Sequence, residues 1–72
     1  MKKSDLIKLG FKDTSYIEED IHFTEFTLET ESFIIQVSGI DEIEIKVADN
    51  DWLFVPNCKT INQLKQLIKL FS

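Results

Sequence analysis

The chain has 72 residues, a net charge of −5, eight basic residues that are all lysine, one cysteine (Cys58) and one histidine (His22). That length makes one domain, residues 1–72, which buries only about 60–65% of the surface its unfolded chain exposes and so has a thin stability margin. One cysteine excludes an internal disulfide, one cysteine with one histidine excludes a soft-ligand zinc site, and no run of ~18 apolar residues is present to span a membrane. Support must come from a good core or from oligomerisation. Ten isoleucines and eight aromatics supply the core.

Ser4 to Gly10 reads as a two-turn helix, with Ser4 as its cap, Asp5 at the positive end and Gly10 as its left-handed stop. Two turns do not stand alone in water, so Leu6, Ile7 and Leu9 are expected to dock, with Phe11 following them inward. Tyr16, Ile17 and Ile21 suggest an extra short strand, and Glu18-Glu19-Asp20 a charged turn. Residues 22–30 read as a strand in which Thr24, Phe26 and Leu28 share one face; Phe23 falls on the other face with Glu25 and Glu29, an imperfection in the alternation.

Glu31-Ser32 then makes a tight connection. Phe33, Ile35 and Val37 share one face of the next strand. Ser38 to Asp41 is expected to turn, with Gly39 supplying a positive φ. Glu42 to Val47 is the clearest strand, with Ile43, Ile45 and Val47 inward and Glu42, Glu44 and Lys46 outward. Asp49-Asn50-Asp51 marks a hairpin turn, and Trp52 to Val55 a strand stopped by Pro56. Thr60 and Gln63 form a capping-box pattern, after which Ile61, Leu64, Leu67, Ile68 and Phe71 make one apolar helical stripe. The expected fold is α+β: a four-stranded or five-stranded antiparallel β-meander, with a short N-terminal helix and a C-terminal amphipathic helix packed on one face.

Charge is segregated along the chain. Residues 1–12 carry +3, residues 13–55 carry −11, and residues 56–72 carry +3. One reading is attraction between basic helices and an acidic sheet, with solvated acids keeping the protein soluble. The other is an acidic face that meets a protein partner with a basic surface. Direct nucleic-acid binding is not expected, because phosphate recognition rests on cationic neutralisation and no arginine fork is present.

Catalytic and ligand-binding patterns are sparse. Cys58 and His22 are the one nucleophile–base combination, but they lie on separate elements and no local signature surrounds the cysteine. Asp49-Asn50-Asp51 begins like a calcium loop, yet the required glycine and distal glutamate are missing. Glu42 and Glu44 sit about 7 Å apart by strand rise, a spacing that a wet sheet face explains without a substrate cleft. No glycine-rich phosphate loop occurs. The expectation is a protein that is not an enzyme and holds no cofactor or metal. A lone cysteine fits a reducing, cytoplasmic setting. Trp52 reads either as a core or rim residue or as an interface anchor, since tryptophan dominates binding hot spots.

Three segments, Leu6-x-x-Leu9-Gly10-Phe11, Trp52-Leu53-Phe54-Val55 and Thr60-Ile61-Asn62-Gln63-Leu64-x-x-Leu67-Ile68, together resemble small accessory proteins encoded by bacterial phages, prophages and their hosts. The resemblance implies a compact, non-enzymatic protein, of a sort that in some cases blocks host defence by occluding an effector or sequestering a signalling nucleotide. Three functions are therefore expected in turn. The first is a protein-binding module, as a homodimer or as an inhibitor of a larger host protein, with Glu42, Glu44, Asp49, Asp51 and Trp52 as contacts. The second is a small-ligand sequestering protein that stacks a nucleotide base on Trp52 or Tyr16. The third is an acidic DNA mimic using Glu25, Glu29, Glu42, Glu44, Asp49 and Asp51.

Overall fold

The computed structural model describes residues 1–39 and 42–72. The expected turn residues Ile40 and Asp41 lie outside the described residues. In chain order the elements are α1 (Lys3–Lys8), β1 (Lys12–Asp13), β2 (Tyr16–Glu18), β3 (Ile21–Phe23), β4 (Glu25–Glu29), β5 (Phe33–Ser38), β6 (Glu42–Val47), β7 (Leu53–Phe54) and α2 (Ile61–Phe71). Five strands form one antiparallel sheet in the order β1-β4-β5-β6-β7, and β2 with β3 forms a separate two-stranded sheet. The α+β meander expected from the sequence is thus present. Its fifth strand is β1, however, and the strand at Tyr16 belongs to the separate hairpin.

Cross-strand register explains the two faces of the main sheet. Leu28, Ile35, Ile45 and Leu53 align across four strands, and Phe26, Val37 and Ile43 align across three. Apart from Leu53 at the edge, these rows join one core cluster to which α1 contributes Leu6 and α2 contributes Leu64. The opposite face carries the row Lys12, Thr27, Gln36, Glu44 and Phe54. Period-2 alternation of β-branched and aromatic residues accounts for β4 to β6, because a strand with one covered face sorts its side chains by parity.

Both helices cover the same side of the sheet. Leu6 and Phe11 are buried as expected, but Ile7 is about half exposed, since two turns offer the sheet only one narrow stripe. The expected Ser4 cap is not used: the N-cap is Lys2, and no side chain caps this end. Gly10 takes a φ of 104° and lets the chain reverse toward Phe11, whose N–H bonds the Leu6 carbonyl at 3.1 Å.

At α2 the capping box forms as the sequence implies. The Gln63 N–H donates to Thr60 Oγ1 at 3.2 Å, while Gln63 Oε1 accepts from the Thr60 and Lys59 N–H groups. Leu64 is then driven fully out of water, Ile61, Leu67 and Ile68 are partly buried, and Phe71 tilts against Phe33 at 6.3 Å between ring centroids. Leu70 points away and is 79% exposed.

Leu64→Ala should therefore cost about 2–5 kcal/mol in urea unfolding, whereas Leu70→Ala should stay within about 0.5 kcal/mol of wild type. Equal losses at the two positions would mean that the helix packs on a different face.

Candidate functional site

The feature that internal packing does not explain is the hairpin Tyr16–Phe23. Every one of its residues is exposed. Its register pairs Tyr16 with Phe23, Ile17 with His22 and Glu18 with Ile21, leaving Glu19 and Asp20 as a two-residue turn. Such a turn matches strand twist when both central residues have positive φ, which Asn-Gly provides at little cost. Here the φ values are 50° at Glu19 and 65° at Asp20. Neither residue is glycine, so the turn carries strain that a glycine would relieve.

Parity also explains why the expected long strand from residue 22 is broken. Phe23 faces the wrong way to join Phe26 and Leu28 in one continuous strand. The chain interrupts its pairing at Thr24, and Phe23 stacks instead on Tyr16 at 5.1 Å and 19° between ring planes. Tyr16, Ile21 and Phe23 lie on one face of the hairpin with Glu18, and Ile17 with His22 on the other. The four apolar side chains are between 38% and 71% exposed.

A polar clasp holds the root of the hairpin to the main sheet. Thr14 N–H donates to the Glu25 carbonyl at 2.9 Å, and Thr14 Oγ1 donates to Glu25 Oε1 at 2.9 Å. Ser15 Oγ donates to the Glu25 carbonyl and accepts from the Glu25 N–H. Gly39 N–H donates to the Thr24 carbonyl at 3.0 Å, tying the other side of the root to the end of β5. Ser15, through its side chain and its backbone N–H, and the Lys3 ammonium 3.1 Å away hold the Asp13 carboxyl at about 2. Between the hairpin and the sheet lies an open cleft of about 510 Å³ lined by Tyr16, His22, Phe23, Thr24, Glu25, Ser38, Gly39 and Glu42. Among the described residues its lining carries the carboxylates of Glu25 and Glu42, with His22 and no lysine beside them.

The structure separates the contact residues expected from the sequence. Glu42, at the start of β6, lines this cleft and is exposed. Glu44, two residues on and so on the same outer sheet face as Glu42, is half-buried between Gln36 and Phe54. Asp49 and Asp51 are exposed beyond the far end of β6, about 17 Å along the strand from Glu42. Trp52 is beside them, at the edge of the sheet. Tyr16 and Trp52 therefore belong to different regions. Residues 16–21 were visible in the sequence only as an ambiguous stretch; the signal was the out-of-phase Phe23 together with Tyr16, Ile17 and Ile21 flanking three acids.

Cys58 is buried in the core, where desolvation pushes its thiol up, and it lines a shallow groove by α2 rather than the His22 cleft. Among the described residues no group of three His, Cys, Asp or Glu side chains is placed to hold a metal ion, and no helix is long and apolar enough to cross a membrane. No protein-family model, no curated protein and no solved structure matches the chain significantly.

Two measurements follow from the clasp and the turn. Asp13 has a folded pKa of about 2 against 3.8 for the unconstrained group, so its contribution is complete above 3.8 and is lost as pH falls toward about 2. Asp13→Asn should flatten the acid limb of the stability curve across that window and lower stability at neutral pH. The double substitution Glu19→Asn, Asp20→Gly should stabilise the hairpin by about 1–2 kcal/mol, read as slower amide exchange in residues 16–23. Unchanged exchange would mean that the turn carries no strain.

Proposed function

We propose that the chain is a non-enzymatic protein-binding module that docks its hairpin Tyr16–Phe23 on a larger protein, into an apolar depression with a basic rim. The observation that carries this reading is the exposure of Tyr16, Ile17, Ile21 and Phe23 around three consecutive carboxylates. An isolated two-stranded hairpin is marginal in water, and beyond the Tyr16–Phe23 stack its apolar side chains stay largely uncovered within the molecule. They gain on binding, where aromatic anchors in a desolvated pocket dominate affinity. Glu18, Glu19 and Asp20 at the tip, with Glu25 and Glu42 in the adjoining cleft, steer the module toward a positive surface and disfavour neutral or acidic ones.

Local strain supports the same reading. Glu and Asp stand where Asn-Gly would fold more easily, and residues held against their backbone preference are concentrated at functional sites. Occlusion of an effector's working surface, hence inhibition of a larger host protein, is the role such a wedge serves best. The carboxylates of the cleft would repel a phosphate, which weighs against a sequestered nucleotide. The wet sheet face mixes Lys12, Thr27, Gln36, Glu44 and Phe54, which weighs against a regular imitation of a nucleic-acid backbone.

The test is affinity capture, from cells that make the protein, with three baits: wild type, Glu19→Asn/Asp20→Gly, and Ile17→Ser/Ile21→Ser. A partner held by wild type should fall at least about tenfold with each variant, although the first variant is the more stable protein. A partner retained equally by all three baits would overturn the hairpin as the contact.

A further inference from the structure

The other uncovered surface is the edge strand β7. Trp52, Leu53 and Phe54 form a run that is apolar on both faces, a pattern that belongs to strands covered on both sides. In the single molecule these three side chains are between 37% and 62% exposed, and α2 does not extend over Leu53. A free, apolar sheet edge is a template for another strand unless something blunts it. We propose that β7 pairs antiparallel with β7 of a second copy of this chain, joining two five-stranded sheets into one of ten strands.

The register follows from the backbone. Val55 N–H donates to the Ile43 carbonyl at 2.8 Å, and Leu53 lies opposite Ile45. Backbone groups alternate along a strand, so those of Leu53 and Val55 face β6 while those of Trp52 and Phe54 face outward. A two-fold axis beside Leu53 then joins Trp52 of each copy to Phe54 of the other, giving four main-chain hydrogen bonds. A register one step later places Trp52 opposite Pro56, which has no N–H to give. In the favoured register the two Leu53 side chains meet on the helix side, and two Trp52–Phe54 pairs form on the other. Both are cross-strand pairs of the kind that stabilise sheets.

Charge selects a second copy as the occupant. The paired run itself is uncharged, so two molecules of net charge −5 meet where neither is acidic. Asp49 and Asp51 lead into β7, whereas residues 56–72 carry lysines and no acid. Antiparallel pairing sets the acidic lead-in of one copy beside the lysine-bearing lead-out of the other. Covering two such short edges removes less than the roughly 1,000 Å² that marks a stable specific interface, so the dimer is weak and depends on concentration.

Two variants test this. Phe54→Pro removes an N–H that points away from β6 and breaks no bond within the chain. Sedimentation velocity should show a dimer of the wild type that forms as concentration rises, and a dissociation constant raised at least about tenfold by Phe54→Pro. Leu53→Cys in a Cys58→Ser background should give an intermolecular disulfide on mild oxidation, because directly opposed residues at a non-hydrogen-bonded pair stand about 4.5 Å apart at Cα. Ile17→Cys in the same background is the collision control. A wild type that stays monomeric at every concentration, or a Leu53→Cys protein that cross-links no faster than the control, would overturn the proposal. The cross-linking result stands whether or not Phe54→Pro folds.

Discussion

Ile35 and Ile43 on the two central strands and Leu64 on α2 are wholly removed from water, and they belong to one cluster. Cover on this apolar face is the constraint on which the remaining structure depends. A 72-residue chain can build only one such layer. Its helices are six and eleven residues long, so the cover is narrower than the five-stranded sheet beneath it. The middle of the sheet is sealed, and its margins are left to other devices.

Each margin is handled differently. At the β1 side, Asp13 lies opposite Phe26 on the helix face and reaches Lys3 of α1, so a polar pair closes the rim. An exposed pair of this kind contributes little by itself. Its effect is local, because the same aspartate anchors Ser15 and hence the clasp on Glu25. At the β7 side Leu53 and Phe54 meet solvent directly. Beyond the clasp the chain leaves the sheet altogether and builds the hairpin. The radius of gyration, 12.0 Å against about 11 Å for a compact chain of this length, agrees with a projecting element.

The parts legible in the sequence are those in which one periodicity dominates. Residues 42–47 alternate without error, and β6 has those limits. Residues 60–71 combine a capping box with a helical stripe, and α2 begins and packs accordingly. The parts that were hidden have local signals too short or too contrary to read. β1 is two polar residues whose partner, Phe26–Thr27, lies across an intervening hairpin. That hairpin turns on Glu-Asp rather than on the Asn-Gly or Asp-Gly that marks such turns in a sequence. Ser4 looked like a cap because its type is right, but Lys2 holds the extended conformation that starts the helix. The expected acidic contact face is split by simple strand length: Glu42 and Glu44 stay together on the face of β6 turned away from the core, whereas the Asp49–Asp51 turn lies beyond the far end of the strand.

The two exposed apolar regions differ in the charge beside them, and this sets how selectively each can bind. The hairpin sets three carboxylates beside its apolar side chains, so selectivity there rests on shape and on a basic rim. The β7 edge offers unpaired N–H and C=O groups, which any extended segment can meet, and little charge with which to discriminate. An edge of that kind invites indiscriminate pairing unless it is covered. Self-pairing covers it with the one partner always present at the same concentration, and leaves the hairpins free. Because the hairpin follows β1 at the opposite margin of the sheet, two copies joined through β7 would carry their acidic tips at separate ends, giving a bivalent molecule whose grip on a repeated or dimeric target exceeds that of either tip alone.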